Sequence, residues 1–366
     1  MILSVTDGSE VGNEIRPRIR LSVNFLGIMI LIFSIVIFGS VWYLSVKEAS
    51  TRTRTMRPFT MFAQKSEELG IKFVSQGKSV DFHSLPEPLF VTFGNEGFQD
   101  LLSNFVCNLL TFPSMIKHTL ILVTSQNTAD QIESLDTEVT VGLILEQTTL
   151  QRGYDYNTKD YINLMFLRGQ CLLKILGEKE IVWLEADAIY YKNLLNESAI
   201  TETRSNFVFF RDQFMFGGGF IRFAKTRSTK EFYSEVMSRL NESVYPQQFY
   251  SRMIRFWERI KLSLISPSNA PFYEKLHRAL LSQVNDQFIL NTYLNEEAFN
   301  YTVFDSCRFR SGYYFHSWIY QFMCSGIEPV MQQHNWMIGV QTKIAFAKSN
   351  SGWFLDPDDP TKCIRH

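Results

Sequence analysis

Leu21 to Val46 contains no charged residue, and a chain that carries such a stretch must bury it in a core or lay it across a bilayer. As a helix rising about 1.5 Å per residue, the 22 positions from Val23 to Leu44 reach roughly 33 Å, enough for a hydrocarbon core of about 30 Å. Buried core helices are usually shorter or amphipathic, and the apolar part of a cleaved signal peptide runs only about 7–15 residues. This stretch continues past Gly39 and Ser40 into Trp42 and Tyr43, residues suited to a membrane interface. The sequence therefore predicts a cytosolic tail over residues 1–22, one transmembrane signal-anchor over 23–45, and a body beyond it.

Charge alone does not orient the span, because Arg16, Arg18 and Arg20 precede it while Lys47, Arg52, Arg54 and Arg57 follow. Three N-glycosylation sequons, beginning at Asn196, Asn241 and Asn300, all lie after it, and such sites are used only in the secretory lumen or outside the cell. They favour a cytosolic N-terminus and a luminal body, the single-pass type II arrangement.

The body is that of a folded chain. It is rich in aromatic residues, with 32 Phe and 15 Tyr overall, and 36 Lys and Arg against 37 Asp and Glu leave no electrostatic case for nucleic acid. All five cysteines lie beyond the anchor, so an oxidising lumen can pair some of them and the odd count leaves at least one over. No C-x-x-C occurs, which argues against a zinc site built from them. Residues 46–85 lack apolar periodicity at first and end near Pro86 and Pro88, so they read as a stem before a folded luminal domain over 86–366.

Within that domain, short β-forming runs alternate with helical periodicity. Leu89–Phe93, Thr119–Thr124, Thr140–Ile144 and Ile181–Leu184 are expected as strands, while Phe98–Leu110 and Tyr161–Leu176 are expected as helices. This alternation predicts an α/β fold with a mainly parallel sheet flanked by helices, and ligands in such sheets bind beyond the carboxyl ends of the strands.

Glu185-Ala186-Asp187 stands at the end of the last of those runs. If the strand stays extended, both carboxylates point to one side, as two hard oxygen donors for Mg²⁺ or Mn²⁺. An acid-x-acid triplet by itself is more often two solvated acids at a strand end. Here the whole segment from Ile181 to Asn193 resembles the hydrophobic strand and D-x-D segment of GT-A glycosyltransferases, in particular the nucleotide-diphospho-sugar transferase family related to plant rhamnogalacturonan xylosyltransferases. The resemblance runs from about Leu89 to Leu355, and Glu185 departs from it by standing where the family carries Asp.

Further positions match in order. Val91 to Asn95 resembles the family's first strand and nucleotide-facing loop, and Arg168 takes the place of a basic residue facing the donor. Phe216-Gly217-Gly218-Gly219-Phe220 is similar to the glycine-bearing strand beside the donor sugar, where missing side chains admit a ligand to the backbone. Asn285-Asp286-Gln287 resembles the pair near the reaction centre, though Asn or Asp also caps helices routinely. His334 to Lys343 resembles the segment that supplies a metal-binding histidine and a pyrophosphate-binding lysine.

The resemblance implies a GT-A-like, Rossmann-like domain and a Golgi-membrane enzyme. It implies a hexosyl- or pentosyltransferase that passes a sugar from a nucleotide-sugar donor to a glycan or glycoprotein acceptor, with anomeric configuration retained. It further implies Mn²⁺ or Mg²⁺ on Glu185, Asp187 and His334, donor contacts from Asn95, Arg168, Gly218 and Lys343, and Asp286 and Gln287 at the reaction centre. Two other classes compete. One is a nucleotide-sugar-binding membrane protein of the same fold without turnover. The other is a two-carboxylate glycoside hydrolase, disfavoured because acids two apart on one strand are poorly placed to flank a glycosidic bond.

Overall fold

The structure, a computed structural model, describes residues 73–75, 78–135, 138–144, 159–212, 215–244, 286–296, 299–335 and 339–364. The expected tail, the anchor over 23–45 and most of the expected stem lie outside these residues. Among the described residues no helix is long and apolar enough to cross a membrane.

The described residues open with strands β1 (Phe73–Ser75) and β2 (Lys78–Ser79), then β3 (Leu89–Gly94) and helix α1 (Gln99–Leu109). Next come α2 (Pro113–Lys117), β4 (Thr119–Val123), α3 (Gln126–Leu135), β5 (Thr140–Ile144), α4 (Lys159–Ile175), β6 (Ile181–Trp183) and β7 (Ala188–Tyr190). The short α5 (Ser198–Thr201) precedes β8 (Phe207–Asp212), β9 (Met215–Phe223), α6 (Arg227–Val244) and α7 (Asp286–Glu296). The last part holds β10 (Tyr301–Val303), β11 (Phe309–Arg310), α8 (Trp318–Met323), β12 (Met331–Gln333) and α9 (Val340–Ser349).

Nine strands form one sheet in the order β10-β8-β9-β6-β3-β4-β5-β1-β2. The four at its centre, β6, β3, β4 and β5, are parallel, as the βαβ alternation predicts. The flanks are not. β9 runs antiparallel between β6 and β8, because only residues 213–214 join it to β8 and so short a connection turns the chain straight back. At the other side β1 pairs antiparallel with β5, which places the end of the expected stem, from Phe73 onward, in the sheet.

Both faces of the central sheet are buried, which is why its strands read as continuous apolar runs rather than alternating ones. Leu89, Val91, Leu120, Leu122, Ile181 and Trp183 face a core closed by α4, α6 and α7. Phe90, Ile121, Val123, Val182 and Leu184 face the opposite core, which α1 and α3 cover.

A second sheet of β11, β12 and β7 lies beyond β6, with β12 antiparallel to β7 and Gln333 opposite Ala188. Helix α1 holds this part in place through two buried asparagines one turn apart. The Asn108 side chain donates to the Tyr190 carbonyl at 3.0 Å and accepts from the Tyr190 N–H at 2.7 Å. Asn104 does the same for the segment after α9, donating to the Gly352 carbonyl at 3.0 Å and accepting from the Phe354 N–H at 2.6 Å. Between them, Cys107 is disulfide-bonded to Cys363. A second disulfide joins Cys307 to Cys324, and the fifth cysteine, Cys171, is a buried thiol in the α4 core.

Removing the Asn108 amide strips two buried main-chain groups of their partners, at about 1–3 kcal/mol each. Asn108→Ala is therefore expected to lower the unfolding free energy by at least about 2 kcal/mol, against about 0.5 kcal/mol or less for the exposed Asn127→Ala. Equal denaturant midpoints for the two variants would show that the amide clamp contributes nothing.

Candidate functional site

Beyond the carboxyl end of β6 the chain does not stay extended. The Ala188 N–H donates to the Glu185 carbonyl at 3.3 Å, closing a turn, and the two acids go to different partners. The extended strand from which a shared direction of the two carboxylates was expected is thus replaced by a turn. Glu185 meets the Arg168 guanidinium at 2.8 Å, and that guanidinium also lies 5.3 Å from the centre of the Trp183 ring. Arg168 projects from α4, is 7% exposed, and lines a small cleft with Trp183 and Gly218. Two expected donor contacts, Arg168 and Gly218, thus share one cleft.

Asp187 is carried elsewhere by the pairing of β7 with β12. One step past Gln333 and Ala188, the His334 N–H donates to the Asp187 carbonyl at 3.1 Å, and directly opposed residues of an antiparallel pair project to the same face. Asp187 is 5% exposed and His334 is 2% exposed. The Lys343 ammonium, from the first turns of α9, binds Asp187 Oδ2. Asp187 Oδ1 and His334 Nε2 remain buried with no hydrogen-bond partner among the described residues. Burial pushes the imidazole pKa down, the Lys343 charge pushes the same way, and Asp187 opposes them, so His334 is held toward its neutral, ligating form. For Lys343 burial alone would lower the pKa, but the charge and hydrogen bond of Asp187, with Glu185 behind them, raise it and keep the ammonium charged.

Gly219 accounts for the closeness of these groups. A Cβ there would lie 2.3 Å from Gln333 Nε2 and 2.6 Å from Glu185 Cγ, so only glycine lets β9 pass beside both. A Cβ on Gly218 would meet Gln287 Cβ at 3.5 Å, which brings the start of α7 against the glycine strand. Asn291 fixes that approach, accepting from the Phe216 N–H at 2.8 Å and donating to the Phe216 carbonyl at 2.9 Å. Asp286 is the first residue of α7; its side chain lies outside the described residues. Asn95 is fully buried just after β3, where its carbonyl accepts from the Phe98 N–H at 2.9 Å.

Among the described residues no three or more His, Cys, Asp or Glu side chains converge as a metal cluster. The structure brings Asp187, His334 and Lys343 together, places Glu185 with Arg168, and sets Gln287 beside Gly218. The sequence reading missed Gln333, Phe346 and Tyr190. Gln333 Oε1 and the Tyr190 hydroxyl are buried without hydrogen-bond partners among the described residues, and Phe346 packs edge-on to His334 at 5.0 Å. A pair of glutamines in a buried strand directly before a histidine was the available signal.

The sequence matches no family profile and no curated protein. Among solved structures it is similar to the glycosyltransferase GlyE of Streptococcus pneumoniae TIGR4, with 12% identity, 74% of this chain and 65% of that chain covered, and a TM-score of 0.40. It is similar to the galactosyltransferase LgtC in complex with donor and acceptor sugar analogs, with 12% identity, 74% and 97% covered, and a TM-score of 0.42. The bifunctional glycosyltransferase WbbM aligns at 9% identity over 70% of this chain and 48% of that chain, with a TM-score of 0.42. Likeness this distant does not place the chain in a family.

Two neighbouring glycines make the packing around the site testable. Gly219→Ala forces a methyl group into Gln333 and Glu185 and should cost about 1–3 kcal/mol of stability. Gly218→Ala meets only ordinary contact distances and should change stability by less than about 0.5 kcal/mol. Indistinguishable unfolding curves for the two would contradict the close approach at Gly219.

Proposed function

We propose that the chain is a glycosyltransferase that takes its sugar from a nucleotide-diphospho-sugar. The observation that carries the proposal is that Asp187 Oδ1 and His334 Nε2, on residues joined through the His334 N–H and the Asp187 carbonyl, are both buried with no hydrogen-bond partner among the described residues. Buried polar atoms in folded proteins are nearly always satisfied, so such a pair calls for a ligand. An oxygen and a nitrogen donor suit a divalent cation. Two protein ligands are enough where substrate phosphates complete the shell, which is how Mg²⁺ is commonly held.

Formal charge supports the same reading. Glu185 and Asp187 balance Arg168 and Lys343, so a nucleoside diphosphate brings negative charge to a set that is already neutral. A bound Mn²⁺ or Mg²⁺ supplies the compensating charge and stabilises a leaving diphosphate oxygen. Asp187 and His334 hold it, while Lys343 offers an ammonium beside the same carboxylate for phosphate oxygens. Glu185 acts through Arg168, orienting the guanidinium over Trp183 at the cleft that Gly218 lines. Asp286 and Gln287, at the start of α7 beside the glycine strand, are the residues proposed for the sugar, and Asn95 for the nucleotide. The retaining course and the glycan or glycoprotein acceptor belong to this proposal.

Two disulfides, Cys107–Cys363 and Cys307–Cys324, fit an oxidising compartment and so favour a luminal body behind the anchor over 23–45, in a Golgi-type membrane. Capture of Glu185 by Arg168 favours a second reading, a nucleotide-sugar-binding protein without turnover, since it withdraws one expected metal ligand.

Calorimetry of the purified full-length protein with Mn²⁺ and a panel of nucleoside diphosphates tests the site. Binding should require the metal, vanish in Asp187→Ala and weaken at least about tenfold in His334→Ala, a loss of roughly 1.4 kcal/mol or more. Metal-independent binding that survives in a folded Asp187→Ala protein would sink the assignment, and hydrolysis or transfer of a nucleotide sugar separates the enzyme from the binder.

The topology is tested separately. Protease added to sealed microsomes should spare the body and remove only the tail, and digestion of the body would overturn the type II arrangement.

A further inference from the structure

The nine-stranded sheet ends differently at its two sides. One edge is β2, two residues long with a lysine, a short and charged edge of the kind that resists pairing with another chain. The other is β10, Tyr301-Thr302-Val303, which among the described residues pairs in parallel with β8 on one side only. All three residues are exposed, Tyr301 and Val303 each at 39%. From Phe299 to Phe304 the chain has no Lys, Arg, Asp, Glu or Pro. An exposed edge of β-branched and aromatic residues without charge or proline invites a further strand, and here its three-residue length is unaided by charge or proline.

The same segment carries a sequon. Asn300 stands immediately before the strand and Thr302 lies two residues on, the spacing that returns extended backbone to the same face. That is the face opposite Tyr301, whose ring packs against Phe209 and Phe216 at 5.7 and 5.3 Å. Both Asn300 and Thr302 are exposed. The Asn300 carbonyl accepts from the Asn206 N–H at 3.0 Å, which fixes the backbone at the site while leaving the side chain outward.

We propose that Asn300 is N-glycosylated and that its glycan covers the β10 edge in place of the missing charge. The inference rests on the luminal reading of the body. The donor is a lipid diphosphate-linked oligosaccharide: Asn300 Nδ2 forms the bond to C1 of the first sugar, the bond from C1 to the diphosphate oxygen breaks, the lipid diphosphate leaves, and the amide gives up one proton. A bulky hydrated chain at the start of the strand then blocks the approach of a second backbone to the open side of β10.

The full-length chain, expressed in cells with a secretory pathway, tests this by glycopeptide mass spectrometry and size-exclusion chromatography in detergent. Asn300 should be occupied. Asn300→Gln and Thr302→Val, which remove the sequon from opposite ends, should each lose one glycan and raise the oligomeric fraction several-fold. Val303→Lys added to Asn300→Gln should restore the wild-type profile by charging the edge. A glycan on Asn196 with none on Asn300 overturns the proposal while the luminal reading stands. No glycan at any sequon overturns both. A glycan on Asn300 whose loss leaves the oligomeric profile unchanged overturns the shielding role.

Discussion

The candidate site depends on a backbone pairing. Asp187 and His334 are 147 positions apart, and they meet only because β12 runs antiparallel to β7 in a register that sets Gln333 opposite Ala188. The pairing continues one step beyond both strands, through the His334 N–H and the Asp187 carbonyl. A slip of one residue would turn one of the two side chains to the opposite face. The buried amide of Asn108, which holds both main-chain polar groups of Tyr190, anchors β7 to α1 and so holds the register from outside the sheet.

The charges around the site are arranged in separate pairs. Arg168 and Glu185 sit over Trp183 on the α4 side, while Lys343 and Asp187 sit on the α9 side. Burying single charges would cost several kcal/mol apiece, so the low exposure of Arg168 and Asp187 requires these partners.

Much of the scaffold was legible because it is local. The runs at Leu89, Thr119, Thr140 and Ile181 form the four parallel central strands, and the helical periodicities after Phe98 and Tyr161 correspond to α1 and α4. Antiparallel β9 was not legible as such, because its glycines suggested a ligand-facing strand without saying which neighbour it joined. At the site, the residue types at 185, 187 and 334 were visible and their partners were not. A turn follows Leu184 and Glu185 pairs with Arg168, and a two-residue period cannot foresee a turn. Asn104 and Asn108 gave no signal because amides in a helix are commonplace, and their clamps reach segments 82 to 250 residues away.

Those distant clamps impose an order on biogenesis. Helix α1 is among the first parts of the body to leave the ribosome, yet its outer face waits for Gly352, Phe354 and Cys363. His334 and Lys343 also follow Asp187 at a distance, so its surroundings stay incomplete until both have been made. Domains usually fold as units during synthesis, and contacts that span 248 to 256 positions form only after both partners have been made. During that interval Cys107 waits for its partner while Cys171, Cys307 and Cys324 emerge as alternatives, and thiol–disulfide exchange is the route that corrects a bond formed too soon.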